Sequence, residues 1–176
     1  MTVNSLVVAA SLQTIHEIEQ KDDVLVGWLY HGRDQLAYQN CVAPVYVELP
    51  VAVSFDQIHG TGELLREVRD QAREGVNHAD DPFIIGTTAI LENDAFRIRN
   101  QGGMQNIGGI EGIPSECVEL VNRRAAASLM NVQVLETPDD ERKLNLTFCD
   151  QRYHRETAER VLQLLKDSIL RMISQG

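Results

Sequence analysis

Apolar residues along the chain recur at two spacings, one helical and one extended. Between Val3 and Glu19, Leu6, Val7, Ala10, Ile15 and Ile18 fall roughly on one side of a helix. Lys21-Asp22-Asp23 ends that pattern, and Val24 to Trp28 reads as a short buried strand. The apolar run Val42 to Val53 is rich in the β-branched residues that suit a pleated sheet. Pro44 and Pro50 lie inside it, and each removes a ladder donor. That strand is therefore expected at an edge, with a bulge, or beginning between the two prolines. Thr61 has the character of an N-cap for a helix reaching about Val76, with Leu65, Val68, Ala72 and Val76 as its buried stripe. Glu63, Arg66 and Asp70 are spaced to pair on its wet side. Pro82 blocks further helix, and Phe83 to Leu91 reads as another strand.

Residues 92–116 break the pattern. Gly102-Gly103, Gly108-Gly109 and Gly112 leave few positions fit for a core, and the segment is expected to be one long loop. Order returns with Leu129 to Leu135, the turn signal Pro138-Asp139-Asp140-Glu141, and Lys143 to Cys149. In the latter, Leu144, Leu146 and Phe148 alternate with Asn145 and Thr147, as in a half-buried strand, so the two runs predict a hairpin. Ala158, Val161, Leu162, Leu165, Ile169, Met172 and Ile173 then trace one apolar helical face between Glu156 and Ser174. The 176 residues fit a single α/β domain without repeats or a low-complexity linker.

Charge and composition narrow the function classes. A formal net charge of −10 and a pI near 4.9 argue against nucleic acid or an anionic membrane as partner, since phosphate binding needs a basic face. Cys41, Cys117 and Cys149 match no zinc or redox spacing, so no metal is expected. No basic residue precedes the short apolar run Leu6 to Ala10, and no apolar stretch approaches a membrane span, so the chain reads as cytoplasmic. Asn145-Leu146-Thr147 matches a glycosylation sequon that has no secretory context to support it.

Candidate chemistry is sparse. His16, His31, His59, His78 and His154 show no His-Glu-x-x-His spacing, and His31 with Asp34 alone is a weak signal. The glycines of 102–112 are not followed by the Gly-Lys-Ser/Thr of a phosphate loop. Asp22-Asp23, Asp80-Asp81 and Asp139-Asp140 each sit beside a turn signal, where aspartate serves backbone hydrogen bonding. No nucleophile elbow is present, and no catalytic residue is assigned.

A set of ordered motifs carries more information. Lys21-Asp22-Asp23-Val24-Leu25-Val26-Gly27 followed by His31-Gly32-Arg33-Asp34, then Val42 to Val51 with its Leu49-Pro50, then Leu64-Leu65-Arg66-Glu67-Val68-Arg69, then His78-Ala79-Asp80-Asp81-Pro82-Phe83, occur in one order. Together they resemble the C-terminal half of nonribosomal peptide synthetase condensation domains. The resemblance covers about Asn4 to Phe83 and resumes from Ala125 to Ile173.

The resemblance implies a chloramphenicol acetyltransferase-like two-layer α/β sandwich, a mixed sheet with helices packed on one face. Two such halves enclose a tunnel where an amine on one carrier protein attacks a thioester on another. The expected function is one wall of that tunnel. The motif positions Arg33, Val47, Glu48, His78, Asp80, Pro82 and Phe83 are its site residues; Val47-Glu48 stand where the family has Asn-Thr. The family's His-His-x-x-x-Asp-Gly motif is absent from this chain, so activity by the chain alone is not expected. No cofactor is expected to bind directly; phosphopantetheine would arrive on partner carrier proteins. The other implied partner is an N-terminal condensation subdomain. Two alternatives stand beside this reading: a non-catalytic module docking carriers or a partner chain, and a self-contained oligomeric acyltransferase. Separation from a neighbouring half predicts an exposed apolar face and homodimerisation through it.

Overall fold

The computed structural model describes residues 2–32, 46–79, 98–104, 130–136 and 142–175. The elements in chain order are α1 (Val3–Glu19), β1 (Asp23–Tyr30), β2 (Val47–Ser54), a 3-10 turn (Phe55–Gln57), α2 (Thr61–Asn77), β3 (Ile98–Met104), β4 (Met130–Glu136), β5 (Arg142–Thr147) and α3 (Arg155–Ser174). Both boundaries of α1 are where the hydrophobic pattern puts them. Thr2 caps its start by accepting the Ser5 N–H at 3.2 Å. Gln20 ends it in the left-handed region, φ 55°, and donates its N–H to the His16 carbonyl.

The strands form one mixed sheet in the order β2-β1-β3-β4-β5. β1 pairs antiparallel with β2 along its whole length, from Asp23↔Ser54 to Tyr30↔Val47. β3 is parallel to both β1 and β4, and β4–β5 is the expected hairpin. The long run Val42 to Val53 resolves as expected: the strand starts between its two prolines, and Pro50 is carried on β2, which ends the sheet order among the described residues.

Alternation sorts the sheet into two faces. Val24 and Val26 with their partners Val53 and Val51, then Met130, Val132 and Val134, are buried against helices. Pro50 and Ala52 of β2, and Lys143, Asn145 and Thr147 of β5, point the other way and are exposed. The mixed sheet with helices layered on one face is the expected fold class.

α1 is the middle of the helical layer and touches α2, α3, β1, β2 and β3. Leu6 through Leu12 are buried without interruption, as are Thr14 and Ile15, so the single side inferred for this helix is an underestimate. A helix packed on every side buries every side. Ser11 and Thr14, fully buried, donate to the Val7 and Ala10 carbonyls one turn back at 2.8 and 2.7 Å, which is how hydroxyls survive in this core.

Other expectations need correction. The segment 92–116 is not all loop, because β3 (Ile-Arg-Asn-Gln-Gly-Gly-Met) lies within it and pairs on both sides. The N-cap of α2 is Gly60 rather than Thr61, and Glu63 reaches back to accept the His59 N–H at 2.8 Å. The buried stripe of α2 is Leu64 and Val68, with Leu65, Ala72 and Val76 only partly covered, and Asp70 pairs with its neighbour Arg69. On α3, Ile173 of the expected apolar face is 57% exposed and Ser168 is buried in the helix's inner row. The expected strand Phe83 to Leu91 lies outside the described residues.

Candidate functional site

Of the motif positions, Val47, Glu48 and His78 are described; Arg33, Asp80, Pro82 and Phe83 lie outside the described residues. Val47 and Glu48 open β2, opposite Tyr30 and Leu29 of β1. Adjacent strand residues point to opposite faces. Val47 therefore shares the side of Leu49, Val51 and Val53, and Glu48 shares the side of Pro50 and Ala52. The two do not form a contiguous wall. Glu48 is 9% exposed, whereas Pro50 and Ala52 on the same face are open to solvent. Burial on the face opposite the described helices thus increases toward the Val47 end of the strand.

α2 runs back along β2 toward that end. Gln71 meets Ala52, and one turn later Gly75 meets Leu49, where a Cβ on the glycine would stand 3.3 Å from Leu49 Cδ1. His78 is the C-cap of α2; its Nε2 lies 3.0 Å from Glu74 Oε1 in an exposed i,i+4 pair. That pair is a surface feature, and the His78 ring is engaged with its own helix.

The face of the sheet opposite α1, α2 and α3 carries a polar residue that sequence reasoning passed over. Asn131 of β4 is 7% exposed, and its Oδ1 has no hydrogen-bond partner among the described residues. It lies in register with Arg99 and Thr147, and two residues on Gln133 is in register with Gln101 and Asn145. The signal was available in Met130-Asn131-Val132-Gln133-Val134, a strict alternation whose polar members mark the second face of the sheet.

Elsewhere the described residues offer little chemistry. His16 Nδ1 bonds the Lys21 carbonyl at 2.7 Å, and its ring stacks on Phe55 at 4.2 Å, so it fastens the α1–β1 connection to the turn after β2. No group of three or more His, Cys, Asp or Glu is placed to hold a metal ion among the described residues. Cys149 is a free, half-buried thiol. A cavity of about 130 Å³ opens between the helices and is lined by Gln13, Thr61, Ser168, Arg171, Met172 and Gln175. Arg171, the cation of its lining, is paired with Glu17 at 2.7 Å. Among the described residues no helix is long and apolar enough to cross a membrane.

No family model and no curated protein matches this sequence. Solved structures do match its fold. A four-domain nonribosomal peptide synthetase bound to AMP and glycine superposes with a TM-score of 0.76 at 15% identity, over 99% of this chain and 15% of that one. The starter condensation domain of rhizomide synthetase gives 0.67 at 11% identity, over 98% of this chain and 41% of that domain. The X-domain of teicoplanin biosynthesis, solved in complex with OxyB, gives 0.64 at 17% identity, over 96% and 40%. The chain thus shares the fold of these proteins and spans about two-fifths of the length of the latter two.

Proposed function

From a condensation-domain fold that accounts for nearly the whole chain, we propose that this protein is the C-terminal subdomain of a condensation domain. In this reading it supplies one wall of a tunnel in which two carrier-protein thioesters meet. The amine nitrogen of one attacks the thioester carbonyl of the other, a C–N bond forms, the C–S bond breaks, and the amine proton ends on the released pantetheine thiol. The base for that proton belongs to the complementary half, because this chain has no His-His-x-x-x-Asp-Gly. The phosphopantetheine arms come with the carrier proteins. The Glu48 end of β2, together with His78 at the C-terminus of α2, is the part assigned to the tunnel. The observation that carries this reading is the 99% coverage at a TM-score of 0.76 against a peptide synthetase, joined to the ordered motifs of 21–83.

The test is an aminoacyl-transfer assay with loaded carrier proteins, run on this chain, on a complementary N-terminal half, and on the mixture. Amide product from the mixture alone is the expected result. Turnover by this chain by itself would overturn it and point to a self-contained acyltransferase. A docking module is the second reading, favoured by the X-domain, a relative in fold that was solved bound to another protein. Carrier binding measured by titration calorimetry, without product from any mixture, would select that reading.

A further inference from the structure

β2 ends the sheet order among the described residues, and strand edges of this kind invite pairing with further strands. The Ala52 backbone does not present its groups to solvent. Gln71 of α2 accepts the Ala52 N–H through Oε1 at 2.9 Å and donates from Nε2 to the Ala52 carbonyl at 2.5 Å. A primary amide presents an N–H and a C=O on the same side, as a residue of a neighbouring antiparallel strand would, so Gln71 occupies the position such a strand would take. Its orientation is fixed from behind, because Nε2 also donates to Glu67 Oε1 at 2.8 Å. Both Nε2 hydrogens are thereby used, and the carbonyl end is left facing the Ala52 N–H. In an antiparallel ladder, outward-pointing residues alternate, so Pro50 also faces away from β1. Proline has no N–H to offer there.

We propose that Gln71, oriented by Glu67, is an edge guard: a side-chain amide that stands in for a strand and keeps a second copy of this chain from pairing along β2. The close approach that makes this possible is set at Gly75, whose missing Cβ lets α2 lie against Leu49. The guard acts at Ala52 and the proline acts at Pro50, so two successive outward positions are closed by different means. This inference is independent of the functional reading, since it concerns the fold's edge and not the tunnel.

The test compares the full chain with Gln71→Ala by light scattering across a concentration series, with hydrogen exchange at the Ala52 amide. The variant is expected to gain a concentration-dependent association step at least tenfold tighter than any shown by the parent at the same ionic strength. In the parent the Ala52 amide is expected to be protected. Adding Ala52→Pro to the variant removes the newly freed donor at an outward position, where proline is tolerated. The double variant is expected to return to the parent's mass. A variant that associates no more than the parent would overturn the proposal. So would association that survives Ala52→Pro, or a parent whose Ala52 amide exchanges as fast as an unfolded peptide. The hydrogen-exchange reading needs no variant, so fast exchange at the Ala52 amide would overturn the proposal even if Gln71→Ala folds poorly.

Discussion

α1 and α3 are neighbouring helices of similar length in one layer, and they obey opposite rules. α1 is enclosed by two helices and three strands, and it buries residues on every side. α3 covers β5 and one flank of α1, buries Ala158, Val161, Leu165, Ser168 and Met172, and leaves Leu170 and Ile173 more than half exposed. The difference shows what amphipathicity measures. It reports how many sides of a helix have neighbours, and a helix in the middle of a layer loses its stripe because it has no wet side. Small residues complete the contrast: Ala9 and Ala10 are fully buried, which lets flanking elements approach α1 closely.

Substitutions at matched positions should separate the two helices, and the largest effect belongs to α1. Leu12→Ala is expected to lower unfolding free energy by about 3 kcal/mol, read from urea denaturation, because a fully buried leucine leaves a cavity that enclosing elements cannot collapse. Ala10→Leu should cost about 2 kcal/mol by overpacking in the same assay; a neutral result would mean that α1 has slack its burial does not reveal. The seam between the helices is weaker. Arg171 and Glu17 join α3 to α1 at 2.7 Å, but both retain solvent contact. A double-mutant cycle with Arg171→Ala and Glu17→Gln should therefore give a coupling of no more than ~1 kcal/mol, falling with added salt. Smallest of all, Leu170→Gln on the open side of α3 is expected to stay within about 0.5 kcal/mol of the parent in thermal melts. A loss larger than that from Leu170→Gln would show a covered surface there and break the contrast.

The helices were legible in the sequence because their apolar periodicity is interrupted by polar punctuation. Lys21-Asp22-Asp23 follows the end of α1, and the α3 periodicity survives because that helix keeps a wet face. The β4–β5 hairpin was legible because Leu144 and Leu146 alternate with polar residues toward an open face. β3 was not legible. Arg99, Asn100, Gln101, Gly102 and Gly103 give neither the apolar run nor the β-branched content that marks a central strand, and its place is fixed by two parallel partners far away in sequence. The candidate site was only partly legible. Motif order located Val47, Glu48 and His78, but strand parity sends Val47 and Glu48 to opposite faces, and a motif treated as a unit hides that parity. Asn131 was passed over because the alternation Met130 to Val134 points to the apolar face first, and its polar members gain meaning only when the second face of the sheet is considered.

The placement of β3 between β1 and β4 has a consequence for the order in which the protein takes shape. Translated from its N-terminus at ~5–20 residues per second, the chain releases α1, β1, β2 and α2 several seconds before β3 and β4 can join them. During that interval the first two helices can settle on the β1–β2 pair. The opposite side of β1, where Gly27, Trp28 and Leu29 will later meet Arg99, Asn100 and Gln101, stays an unfilled slot. Completion then waits on non-local parallel pairing, the slowest kind of contact to form. The nascent chain is therefore vulnerable at an edge that no longer exists once folding is complete, and a ribosome-bound chaperone would have its use there.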